Sequence, residues 1–468
     1  MKRELLAGFT GFGLCIATFV APHRSTSATT PVTDCLLVVA PAAWRESLEP
    51  FVAERARQLG YPVEFLALES ATEGARTGDA ARFDAPELLK RELFARWKAN
   101  RLSAVLLVGD ADTLPIRFMT LDRGTVPAFN TAFYPSDLYY ADLAHPDGSF
   151  DDWNRSRDGM HAQYFGEVHG ETNKSDPMNF DAISYEPEIA VGRWPVSTAE
   201  SASLVATKTL AHQRAVCARA PADEPTRVDF FFCGGWIDNR DRANALVSSL
   251  AATPQWNAQL HSYFDEAHLP TREAFASALK SSPAAMFHTG HGQPWGWEGC
   301  LDASMLTAHA PSVRPPLLFS IGCSTSEVCT QPPYQAYTDT AGVAHRGTNA
   351  GEVFIDFPPA PAPIQRGDHN STSIAEEAVR QGTGGAIATI GCVTGSQPCA
   401  QTLLDGFVAA MVRAPDGTVG AWWRDAITHY VREERLEELT PTESWYPASV
   451  YFQGMKFVLL GDPTVRLQ

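Results

Sequence analysis

Two short segments of the sequence hold side chains able to do covalent chemistry. Thr289-Gly290-His291-Gly292 offers an imidazole between two glycines, and Gly322-Cys323 offers a thiol. A thiolate attacks acyl carbons, an imidazole protonates a leaving amine, and backbone N–H groups hold the oxyanion. Cys323 is the candidate nucleophile and His291 the candidate acid/base. The N–H groups of Gly292 and Cys323 are candidates for the oxyanion hole. Glycines at 290 and 292 let the backbone come close to a substrate. Spacing alone leaves other readings open. A cysteine at the end of an apolar strand is often core. A histidine in a glycine-rich loop is often an ordinary polar residue. His288, His291 and Cys323 together are also zinc-ligand types.

The elements around these segments give them a reason to meet. Ala284-Ala285-Met286-Phe287-His288 is a short apolar run that opens onto His291, and Leu317-Leu318-Phe319-Ser320-Ile321 opens onto Cys323. Short apolar runs separated by helical patterns predict strands of a parallel, helix-covered sheet. Ligands bind at the carboxyl ends of such strands. The same rhythm starts at Leu36–Ala40, passes through a helix over 43–59 that Gly60-Tyr61-Pro62 stops, and continues with strands at 63–68 and 104–108. It resumes at Glu188–Arg193 and runs through strands near 228–232, 258–264 and 386–390 to a last one at 457–460. The fold class expected is α/β, with two subdomains of mostly parallel sheet flanked by helices. The expected division is a signal segment over 1–29, an N-terminal subdomain over 34–185 and a catalytic subdomain over 186–468.

Residues 120–185 break the rhythm. They are rich in Asp, Asn, Gly and Tyr. Asp137, Asp142, Asp147, Asp151 and Asp158 form a dense set of hard oxygen donors of the type calcium takes. The spacing does not match an EF-hand, and a solvated acidic loop has the same composition.

Composition narrows the function classes. Of 468 residues, 44% are hydrophobic and 19% charged, which fits a folded chain. The formal net charge of −17 argues against binding nucleic acid or anionic lipid. Lys2 and Arg3, an apolar stretch from about Leu5 to Val20 and small residues at 25–30 make the pattern of a secretory signal. The expected location is therefore outside the cytoplasm, periplasmic or extracellular, with no integral membrane segment once the signal is removed. Export permits disulfides. Cys392 with Cys399, or Cys217 with Cys233, would be compatible pairs.

Several of these blocks, in this order, resemble the gingipain family of cysteine peptidases in the caspase-like group. The blocks are Val105-Leu106-Leu107-Val108-Gly109-Asp110 with Pro115, Pro187-Glu188-Ile189-Ala190-Val191-Gly192-Arg193, Gly290-His291-Gly292, Phe319-Ser320-Ile321-Gly322-Cys323 and Leu460-Gly461-Asp462-Pro463-Thr464-Val465-Arg466-Leu467. The resemblance implies a caspase-like fold and hydrolysis of protein or peptide substrates through a thioester on Cys323. It implies His291 as the acid/base, Glu188 as the acid supporting it, and no cofactor for catalysis. Loops like the Asp-rich one stand before the catalytic subdomain in relatives, which implies a structural calcium. Arg-cleaving relatives place an acid after the Gly-Arg strand, and Glu200 stands near that place, implying basic P1 residues. The neighbours of Glu200 differ, and no aromatic lid is evident over Thr394-Gly395-Ser396-Gln397. An inactive binding protein on the same fold and a peptide ligase or transpeptidase are the alternatives.

Overall fold

The computed structural model describes residues 34–73, 83–122, 132–156, 159–161, 164–165, 179, 181–219, 224–308, 312, 314–367, 370–436 and 453–468. The expected signal segment and Asp158 lie outside the described residues.

The centre is a ten-stranded sheet. In chain order its strands are β1 (Leu36–Ala40), β2 (Val63–Ala67), β3 (Ala104–Val108), β4 (Ala190–Trp194), β5 (Thr226–Phe232), β6 (Trp256–Ser262), β7 (Ala285–Thr289), β8 (Leu317–Ser320), β9 (Ala388–Cys392) and β10 (Phe457–Gly461). The spatial order is β2-β1-β3-β4-β10-β9-β8-β7-β5-β6. The first four are parallel to one another, and β10 runs parallel to β4. β10 is antiparallel to β9, while β9, β8, β7, β5 and β6 are mutually parallel. The two sets of strands therefore run in opposite directions, and their carboxyl ends open on opposite edges of the sheet. β4 pairs along its whole length with β3, so it extends the N-terminal set.

The inner strands are buried on both faces, while the edge strands β2 and β6 are only half-buried. Alternation along β1 sends Leu37 and Val39 to one layer of core, and Leu36, Val38 and Ala40 to the other. The principal helices are α1 (Arg45–Leu59), α2 (Ala85–Lys98), α3 (Ala199–Cys217), α4 (Arg240–Ala251), α5 (Arg272–Lys280), α6 (Ile374–Arg380), α7 (Gln401–Arg413) and α8 (Val419–Glu433). Their ends carry sequence-encoded stops. Gly60 ends α1 in the left-handed region at φ 74°. Asp84, Thr198, Thr271 and Thr418 cap α2, α3, α5 and α8 through their side chains. α1 is tied to the closing segment by a fully buried ion pair. Arg55 Nε donates to Asp462 Oδ2 at 2.9 Å and Nη2 donates to Thr464 Oγ1 at 2.9 Å. No helix among the described residues is long and apolar enough to cross a membrane.

Candidate active site

β7 and β8 are adjacent and in register, with His288 opposite Ser320. The residues just beyond them are therefore neighbours on one sheet edge. Two glycines let the loops touch. A Cβ on Gly292 would stand 2.8 Å from the Cys323 carbonyl oxygen, 2.9 Å from the Gly322 carbonyl carbon and 2.6 Å from Thr325 Cγ2. A Cβ on Gly322 would stand 2.8 Å from both Cα and N of Gly292. Only two glycines permit this approach. A third, Gly290 at φ 138°, has no room for a Cβ either, since Cys233 Cβ would lie 2.7 Å away.

His291 and Cys323 line the same open cleft, whose empty space, open solvent included, is about 460 Å³. No hydrogen bond joins their side chains. The His291 carbonyl accepts from the Glu298 N–H at 3.0 Å, which anchors the loop to the hairpin behind it. The Trp236 ring stands edge-on to the imidazole, with centroids 6.1 Å apart. The half-buried Cys323 sulfur receives the backbone N–H of Ser396 at 3.3 Å.

Three segments complete the cleft, and all follow carboxyl ends on this edge. Gly235, Trp236, Ile237 and Asn239 come after β5, Ser396 and Gln397 come after β9, and Gln401 begins α7. Asn239 is the N-cap of α4, yet its side chain caps nothing. Its Oδ1 is buried without a partner, as are Ser396 Oγ, Gln397 Oε1 and Gln401 Oε1. Buried polar atoms normally find partners, and all four of these residues line the cleft. Sequence reasoning missed these residues. The signal available was Cys233-Gly234-Gly235, which closes an apolar strand just as Gly322-Cys323 does.

Glu188 is not brought to His291. Its Oε2 accepts from the N–H groups of Leu143 at 2.6 Å and Ala144 at 3.1 Å. It precedes β4, four strand positions from β7, or about 19 Å at ordinary strand spacing. Burial raises its carboxyl to about 7. Glu200 is not brought to the cleft either. It sits in the first turn of α3, beyond the carboxyl end of β4, and that end opens on the opposite edge from those of β7 and β8. Among the described residues no carboxylate lines the cleft.

The acids of the irregular segment are dispersed. Asp137 gives both oxygens to Arg193 at 2.7 Å. Asp142 is buried and accepts from Ser184 Oγ, Trp153 Nε1 and the Tyr185 N–H. Asp151 accepts from the Ser184 N–H at 2.7 Å. Asp147 is solvent-facing and closes a turn on Ser149. The buried amine of Lys90 interacts with Asp142, Asp151 and Glu188. Among the described residues no three of these carboxylates bring ligand atoms together. The described cysteines are all free thiols. His288 turns away from His291 and Cys323. Its ring stacks on Trp297 and its Nδ1 lies 2.8 Å from Ser320 Oγ.

A helix-flanked, mostly parallel sheet that places a histidine and a cysteine beyond adjacent strands belongs to the caspase-like α/β class. The chain belongs to peptidase family C25, whose model matches residues 29–468. Among solved structures it is similar to the Arg-specific cysteine proteinase gingipain R (RGPB). The identity is 14%, covering 93% of this chain and 80% of that one, with a TM-score of 0.57. It is also similar to the complex of the RgpB pro- and mature domains from Porphyromonas gingivalis. There the identity is 15%, the coverage is 92% and 78%, and the TM-score is 0.54. At these identities the likeness is one of fold. No curated protein matches the chain.

Proposed function

We propose that the protein is an exported cysteine endopeptidase with Cys323 as nucleophile and His291 as acid/base. The observation that carries this reading is the Gly292–Gly322 contact, which holds both residues in one cleft. The Cys323 thiolate attacks the scissile carbonyl and forms a C–S bond. The N–H groups of Gly292 and Cys323 receive the oxyanion. His291 gives its proton to the departing amine as the C–N bond breaks, leaving a thioester. Water, deprotonated by His291, then attacks the thioester, releasing the acid and restoring the Cys323 thiolate and the protonated His291. Glu188 and Glu200 have no part in this scheme. Trp236 edges the imidazole and restricts its orientation.

For the P1 residue we propose a side chain that donates hydrogen bonds. Asn239, Ser396, Gln397 and Gln401 line the cleft, and each carries a buried side-chain oxygen without a hydrogen-bond partner, which a small side-chain rotation would turn toward a bound residue. Arg and Lys satisfy such acceptors. Because no carboxylate among the described residues lines the cleft, Gln and Asn compete with them, and Asp and Glu are disfavoured. Export rests on the charged and apolar pattern of the first 29 residues.

The test is covalent labelling with a peptidyl electrophile, located by mass spectrometry. Of the eight cysteines described, six are buried, Cys217 is exposed and Cys323 is half-buried. The proposal expects peptide-dependent labelling at Cys323, with loss of hydrolysis in proportion. Hydrolysis that survives complete labelling of Cys323 would overturn it.

A further inference from the structure

Behind the catalytic edge lies a second cluster of reactive side chains that the peptidase scheme does not use. Cys233 follows β5, His288 stands on β7, and Cys300 sits in the turn of the hairpin Gly296–Trp297 / Leu301–Asp302. All three are buried. One ligand atom from each lies within 4.8 Å of the others. The two sulfurs are 3.8 Å apart. His288 Nε2 is buried with no hydrogen-bond partner, and it adjoins Cys233 across Gly290.

We propose that Cys233, His288 and Cys300 bind a zinc ion. Three features point to this metal. Thiolate and imidazole are the ligand types that zinc prefers. Two sulfurs at 2.3 Å from a tetrahedral zinc stand about 3.8 Å from each other, which is the separation found. Zn²⁺ with two thiolates and a neutral imidazole carries no net charge, so the site suits an apolar interior where a lone ion would be costly. The surroundings are apolar, with Trp297, Phe231, Leu301 and Leu318 in the same core cluster. His288 Nδ1 meets Ser320 Oγ at 2.8 Å, which leaves Nε2 as the ligand nitrogen and orients the ring.

The position gives the ion a structural task. Its ligands come from the β5 loop that carries Trp236 and Asn239, from the strand that carries His291, and from the hairpin that anchors the His291 loop. Ser320 Oγ also accepts from the Gly322 N–H at 3.0 Å, one residue before Cys323. A zinc ion here would fasten two of the segments that build the cleft to the hairpin behind them. This differs from a zinc held by His291 and Cys323, because neither residue belongs to the cluster.

The test uses the full chain, purified under reductant, stripped with chelator and dialysed against zinc sulfate alone. Bound zinc is counted by mass spectrometry of the metal in wild type, Cys323→Ala, His291→Ala and Cys300→Ser. The proposal expects one tightly held zinc per chain in wild type, Cys323→Ala and His291→Ala, and at most about a tenth of that in Cys300→Ser. Because Cys300→Ser could fail to fold, wild type is also loaded with cobalt(II), where thiolate-to-metal charge-transfer absorption is expected. Wild type that retains no zinc and shows no such absorption would overturn the proposal. So would zinc that disappears in Cys323→Ala but persists in Cys300→Ser, or a Cys233–Cys300 disulfide in a parallel preparation isolated without reductant. Peptidase activity is not the readout, so this test can fail while the Cys323 reading stands.

Discussion

Replacing Gly292 by alanine is the sharpest probe of how the two catalytic loops are held together. The new methyl would lie 2.8 Å from the Cys323 carbonyl oxygen and 2.6 Å from Thr325 Cγ2. Non-bonded heavy atoms sit at roughly 3.5–4.0 Å, so the His291 loop must retreat by about 0.7–1 Å. The Thr325 methyl can rotate away, but the Cys323 carbonyl is backbone and cannot. A displacement of about 1 Å in a catalytic array costs on the order of a hundredfold in rate, or about 2.7 kcal/mol. Overpacking costs about 1–3 kcal/mol of stability, so the melting temperature should fall by only a few degrees. The assay is kcat/KM on a cleaved peptide, with thermal unfolding measured on the same samples. The expected result is a loss of about a hundredfold in kcat/KM with a folded protein. If kcat/KM stays within about threefold of wild type, the loops do not need this contact and the geometric argument for the site fails.

Two further substitutions test the framework. Glu188→Gln keeps an oxygen to accept from Leu143 and Ala144 and removes a carboxyl that burial holds at about 7 against an ordinary 4.5. In wild type the folded chain keeps that proton where the unfolded chain has released it. Stability from this group is therefore full below about pH 4.5 and is lost as pH rises through about 7. The variant should match wild type at pH 4 and exceed it by up to about 3 kcal/mol at pH 8 in denaturant titrations, with kcat/KM unchanged. A tenfold fall in activity would instead restore Glu188 to the catalytic machinery. Asp462→Ala leaves the fully buried Arg55 guanidinium without its anion. It should cost about 3–5 kcal/mol by denaturant unfolding, and Arg55→Leu with Asp462→Leu should cost less than the single change.

The parts of the fold legible in the sequence were those set by local pattern. β1, β3, β7 and β8 are continuous apolar runs because a parallel sheet buries both of their faces. Their glycine-bounded ends exposed the His291 and Cys323 segments. What stayed hidden was non-local. Nothing in the sequence around Val458 or Val191 signals that β10 runs against β9 and with β4. That reversal alone turns the helix start bearing Glu200 to the far edge. The Asp-rich segment looked like a cation site because its counter-charges lie far off in the chain, in Arg193 and Lys90. The zinc-ligand types were visible at His288, but the partners were not. Cys233 and Cys300 are brought to it by strand pairing and a hairpin. Nothing in the sequence singles out Asn239. Only its uncapped side chain in the cleft distinguishes it.

The most direct test of the central claim is hydrolysis of a fluorogenic peptide panel that varies P1, run on wild type and Cys323→Ala under identical conditions. The account predicts cleavage after Arg, Lys, Gln or Asn by wild type, weaker cleavage after Asp or Glu, and none above background by Cys323→Ala. A wild-type protein that cleaves nothing in the panel, or a Cys323→Ala variant that cleaves as well as wild type, would contradict it.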